Sequence, residues 1–113
     1  MAKVIIDLSL EKEIKKRFNQ KQALEIADLM LSLEKNPKKG KILGTVGGII
    51  IKELKYGSFR FYFITDGFKL KYLAQKQLTD LLLRFVRMSD KKNQQKTINE
   101  IKNILIKIGP EGL

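Results

Sequence analysis

The stretch Phe59–Phe63, FRFYF, constrains the fold more than any other. Phe59, Phe61 and Phe63 recur every second residue, with Arg60 and Tyr62 between them, and only an extended strand puts such a set on one face. The phenylalanine face demands a core. The other face carries an arginine where a small polar residue would suffice, so the surroundings of Arg60 become the question. Ile49–Tyr56 reads as a strand turning back into this one through Gly57-Ser58. Ile50 and Leu54 fit the core side of that strand, and Glu53 and Lys55 the Arg60 side. Lys52 breaks this parity. In LLLRFVRM, a further strand, Leu81, Leu83 and Phe85 form one set and Leu82, Arg84 and Val86 the other, so Arg84 is expected to share the face of Arg60.

The flanking segments supply helices. KVIIDLSL reads as a first strand, with Ser9 as N-cap of a helix that has Glu11 and Glu13 at its positive end. Leu10, Ile14 and Phe18 form its apolar stripe. A second helix from Lys21 carries Leu24, Ala27 and Leu31, widened by Ile26, Met30 and Leu33, and NPKKG ends it. GKILGTVGG, residues 40–48, lacks both GxxxxGK[ST] and GxGxxG and is expected to be a flexible lead-in to the next strand. Asp66-Gly67 is a hairpin signal that would make FKLKYLA another strand. Residues 75–80 fit either a loop or one helical turn. Asp90 or Asn93 caps a last helix striped by Ile98, Ile101, Leu105 and Ile108, and Gly109-Pro110 stops it. The order β-α-α-β-β-(β)-β-α predicts an α+β fold in one domain, 1–113. An N-terminal helix hairpin packs on an antiparallel (mixed) β-sheet with a C-terminal helix, and the helices share one face, leaving the other partly open.

Composition narrows the chemistry. With no cysteine and no histidine, thiolate and imidazole chemistry are excluded, together with the usual zinc ligands. No clustered carboxylates suggest a two-metal site, so no cofactor or metal is expected. The 113-residue chain carries 23 basic and 12 acidic residues, a net charge of +11. Such a field favours a polyanionic partner, although a lysine-rich surface without a specific partner fits it too. No basic start precedes a long apolar core and no stretch is long enough to span a bilayer, so a cytoplasmic protein without a membrane partner is expected. A sheet face bearing Arg60, Lys55, Arg84, Tyr62 and the carboxylate of Glu53 suits a phosphodiester, because guanidinium forks donate paired hydrogen bonds to phosphate oxygens. Cross-strand ion pairs among Glu53, Lys55 and Arg60 on a solvated face are the alternative.

Four segments in this order resemble the RelE/ParE toxin superfamily, in particular its phage-derived, HigB-like branch. They are SLEKNPKKGKILG, IKELKYGSFRFYFITDG, LLLRFVRMSDKKNQQ and the amphipathic terminal helix. Glu53-Leu54-Lys55 and Phe59-Arg60 are similar to the family's central pattern, and Phe85-Val86-Arg87 with Lys91 and Lys92 to the branch's late one. The resemblance implies a microbial-RNase-like fold and a type II toxin that cleaves messenger RNA on the ribosome and is neutralised by a cognate antitoxin. Carried over, Arg60 stabilises charge on the phosphoryl oxygens beside Lys55 and Arg87, and Glu53 accepts a proton. Arg84, Tyr62, Lys52, Lys91 and Lys92 are candidate RNA-binding residues. The chain departs from the family in having no histidine, no tyrosine after Tyr72, and a longer segment at 68–80. The ParE side of the superfamily implies a non-catalytic binding protein as the alternative.

Overall fold

The computed structural model describes residues 1–113, leaving aside the side chain of Gln75. Five strands form one sheet in the order β1-β5-β4-β3-β2: β1 (Lys3–Ile6), β2 (Lys41–Val46), β3 (Ile49–Tyr56), β4 (Phe59–Asp66) and β5 (Leu82–Asp90). β1 pairs parallel to β5, and the remaining pairs are antiparallel. The helices are α1 (Leu8–Arg17), α2 (Gln20–Leu31), α3 (Gly67–Tyr72) and α4 (Gln94–Lys107).

The phenylalanine face is covered as its pattern requires. Leu10 and Ile14 of α1 and Ile26 and Met30 of α2 join Ile50, Leu54, Phe61, Phe63, Leu83 and Phe85 in the main core. Asn19 starts α2 with a capping box: its side chain accepts from the Gln22 backbone N–H at 2.8 Å, and the Gln22 side chain accepts from the Asn19 N–H at 3.2 Å. The start of α1 differs from expectation. Asp7, not Ser9, holds the N-cap position, and its side chain makes no cap bond because Arg84 engages it.

The other face is not left open. Ile51, Ile64 and Val86 line it, and α4 buries them beneath Ile101 and Leu105 in a second, smaller core that also contains Tyr62. Three aliphatic side chains on one sheet face need a cover, and the terminal helix supplies it. Ile108, placed at the end of that helix's stripe by its spacing, is mostly exposed just before Gly109.

Two glycine-containing segments also fold otherwise than expected. Residues 41–46 are the edge strand β2, not a flexible lead-in, and Gly47-Gly48 turn it into β3 with both residues at positive φ, 55° and 83°. That is the two-residue hairpin geometry which twists the strands correctly. Asp66-Gly67 makes no hairpin. Asp66 caps α3 by accepting from the Lys69 N–H, so FKLKYLA begins as a helix and not as a strand. Gly67 is needed for close approach: its N–H donates to Gly48 O at 2.8 Å, and a Cβ there would lie 2.7 Å from that oxygen. Residues 75–77 form one 3₁₀ turn.

Candidate phosphate-binding site

Strand register builds the site in two adjacent rows. Lys55, Arg60 and Ser89 lie opposite one another across β3, β4 and β5. The next row holds Lys41, Glu53, Tyr62 and Arg87 across β2 to β5. Opposed residues share a face with Cβ atoms about 5 Å apart, so these side chains converge. They sit on the α4 side of the sheet, at the end nearest the Gly57-Ser58 turn.

A bulge in β5 makes the second row possible. Tyr62 pairs with Arg87 but Phe63 pairs with Phe85, which leaves Val86 as the extra residue. Without it, Arg87 and Ser89 would follow Phe85 into the main core. With it, Val86 joins the core beneath α4, Met88 points to the main core, and Arg87 and Ser89 turn toward Tyr62 and Arg60. Bulges commonly re-aim side chains in this way beside functional sites.

Arg60 is the unusual member. It is only 7% exposed, yet it forms no ion pair among the described residues. Its Nη1 donates to Gly57 O at 3.3 Å and Phe59 O at 3.1 Å, tying the guanidinium to its own hairpin. Its Nε is buried with no hydrogen-bond partner, alone in this among the described side chains. A buried charged donor without an acceptor is costly, and an anion would satisfy it. Glu53, 4% exposed, and the exposed Lys55 likewise form no ion pair. The alternative arrangement, cross-strand ion pairs among Glu53, Lys55 and Arg60, is therefore not formed among the described residues.

The rest of the row is more tightly tied. Arg87 donates to Glu100 Oε1 at 3.1 Å and to Val86 O at 2.8 Å, which joins the site to α4. Tyr62 is fully buried, with its hydroxyl 2.7 Å from Ser89 Oγ. Burial raises the phenol pKa and Glu53 adds to the shift, while the bond to Ser89 and the charge of Arg60 pull the other way. Tyr62 thus stays protonated at neutral pH. A polar cleft of about 320 Å³ adjoins this end, walled by Arg17, Ser89, Asp90, Asn93, Lys96 and Glu100.

Other residues singled out in the sequence lie elsewhere. Arg84 faces the α4 side as parity predicts, but at the far end of β5. Its Nε and Nη2 grip Asp7 at 2.7 and 2.9 Å, and Nη1 donates to Pro110 O at 2.8 Å. Lys52 does not break parity. It lies on the main-core side, 2% exposed, with Nζ donating to Lys38 O at 2.9 Å and 5.8 Å from the centre of the Phe63 ring. Burial lowers its pKa. Lys91 and Lys92 are exposed in a 3₁₀ turn capped by Asp90, which leads from β5 into α4 beside the polar cleft. Among the described residues, no three carboxylates gather to hold a metal, and no helix is long and apolar enough to cross a membrane.

The overall fold is shared with a solved structure. A chain of the archaeal RelE–RelB complex from Pyrococcus horikoshii OT3 superposes with a TM-score of 0.61 at 12% identity, covering 80% of this chain and 94% of its own. The fold is RelE-like. The isolated E. coli RelE toxin aligns with a TM-score of 0.48 at 10% identity, over 90% of this chain and 97% of that one. No protein-family model and no curated protein matches the sequence. Within the RelE-like fold, the bulge in β5 is what sequence parity could not foresee, and Ser89 was missed because of it.

Proposed function

We propose that this RelE-like chain is the toxin of a type II toxin–antitoxin system, of the HigB-like branch, and acts as a metal-independent endoribonuclease on translated mRNA. The buried, ion-pair-free guanidinium of Arg60 carries this reading, since it is a charged donor still lacking an acceptor. A phosphodiester supplies that acceptor. Lys55 and Arg87 add positive charge to the same face, and Lys91 and Lys92 extend it along the strand's exit for the flanking backbone.

In this reading the RNA's own 2′-hydroxyl attacks the adjacent phosphorus. The O2′–P bond forms, the P–O5′ bond breaks, and a 2′,3′-cyclic phosphate results. Glu53 takes the 2′ proton and solvent protonates the departing 5′-oxygen. Charge building on the phosphoryl oxygens is met by Arg60, and such preoriented electrostatic stabilisation is where most of the rate enhancement would arise. The cognate antitoxin is expected to be net acidic, complementing the charge of +11.

Arg60→Ala tests the assignment. Losing two bonds to hairpin carbonyls costs about 1–2 kcal/mol of stability, partly offset by removing the orphaned Nε. Mapped mRNA cleavage by the folded variant should fall at least about a hundredfold. Arg60→Lys keeps the charge but loses the planar fork, and should recover little. Undiminished cleavage by well-folded Arg60→Ala would remove Arg60 from catalysis. RNA binding without cleavage by the unaltered protein would favour a non-catalytic binder on this fold.

A further inference from the structure

We propose that the Ser89 hydroxyl is a substrate-contacting hydrogen-bond donor to the phosphate held at Arg60, and that Tyr62 is the positioning residue that aims it. This rests on the RNA-cleaving reading above and names groups which that reading does not use. Ser89 lies directly opposite Arg60 in the β4–β5 register and is 6% exposed. The only hydrogen-bond partner of its hydroxyl among the described residues is the Tyr62 hydroxyl, at 2.7 Å.

The direction of that bond follows from what each proton can reach. Tyr62 is fully buried, and Ser89 Oγ is the one acceptor its phenol meets among the described residues. Were Ser89 the donor, the phenolic proton would be sealed in the core without an acceptor, which is costly. The phenol therefore donates to Ser89. A hydroxyl carries one proton and two acceptor lone pairs, so the Ser89 proton is left free. Ser89 is also a wall of the polar cleft of about 320 Å³, so its proton has a solvent-reachable space to point into. Arg60, whose Nε is orphaned, is the residue opposite Ser89 on β4. Two donors without acceptors among the described residues, on opposed residues of one ladder, suit two oxygens of a single phosphate. The walls of the cleft carry Arg17 and Lys96 as cations and Asp90 and Glu100 as carboxylates.

The experiment uses a short single-stranded RNA with one cleavable linkage, presented free and in a ribosome. Its 2′-deoxy counterpart reports binding, and two diastereomers carrying sulfur at one non-bridging oxygen report the Ser89 contact. Ser89→Ala should slow cleavage by about tenfold to a hundredfold, the range for a hydrogen bond to a charged acceptor. Ser89→Thr, which keeps the hydroxyl, should stay within severalfold of the unaltered protein. Sulfur in one diastereomer should slow the unaltered protein and leave Ser89→Ala with no further loss, which a merely structural serine would not produce. Salt dependence of binding to the 2′-deoxy RNA should be unchanged in Ser89→Ala, because no charge is lost, and shallower in Arg60→Ala. Tyr62→Phe supplies an independent arm, with a partial loss and weakened diastereomer discrimination. Ser89→Ala that cleaves as fast as the unaltered protein, or keeps its discrimination, overturns the proposal while the RNA reading stands. If the unaltered protein neither binds nor cuts these RNAs, the underlying reading falls with it.

Discussion

Arg84 offers the sharpest contrast with Arg60, because the two share a sheet face and differ in what fills their forks. Arg84 grips both oxygens of Asp7 at 2.7 and 2.9 Å and the Pro110 carbonyl at 2.8 Å, fastening the start of α1 and the C-terminal turn to β5. The side chains are 26% and 13% exposed, between a surface pair and a sealed one. Surface pairs contribute about 0–1 kcal/mol and breaking a sealed one costs about 3–5 kcal/mol, so Arg84→Ala should lose about 2–3 kcal/mol. At about 4–8 °C per kcal/mol for a domain near this size, the melting midpoint should drop by about 8–24 °C. Asp7→Ala should cost a similar amount, and the double variant less than the sum, with a coupling of about 1–2 kcal/mol. Urea unfolding at constant slope measures all three, and RNA binding on the folded fraction should change less than about threefold. Arg84→Ala with unaltered stability but lost RNA binding would refute this reasoning and return Arg84 to the binding surface.

Two further outcomes follow from buried groups. Lys52 has a pKa lowered by burial, so between its folded value and 10.5 the unfolded chain holds more protons and stability should rise with pH through that window. Lys52→Met should flatten this rise relative to the unaltered protein while changing neutral-pH stability by less than about 1.5 kcal/mol, and pH-resolved urea melts that superimpose would contradict it. Gly67→Ala gains about 1 kcal/mol of helix propensity but sets a Cβ 2.7 Å from Gly48 O, so a net loss of about 1–2 kcal/mol is expected in thermal melts. A stabilised variant would show that the β2–β3 turn yields easily.

Much of this protein is determined by its local patterns. The period-two phenylalanines define β4 and the face toward α1 and α2, and Asn19 with Gln22 starts α2 where the apolar spacing breaks. Arg60 opposite those phenylalanines, with Glu53 and Lys55 beside it, is legible for the same reason, because parity along a regular strand needs no partner to be read. Beyond that, only tertiary structure decides. Asp66-Gly67 carries a hairpin's wording, but the neighbouring Gly48 carbonyl demands a glycine for closeness and the chain turns into α3. The supposedly open face is closed by α4, because Ile51, Ile64 and Val86 come from three strands and form an apolar patch only once those strands are aligned. The single extra residue in β5 reverses parity and carries Arg87 opposite Tyr62 and Ser89 opposite Arg60. A bulge is a relation between two strands, with no mark in either strand's own alternation, and so the composition of the site was settled by pairing and not by sequence.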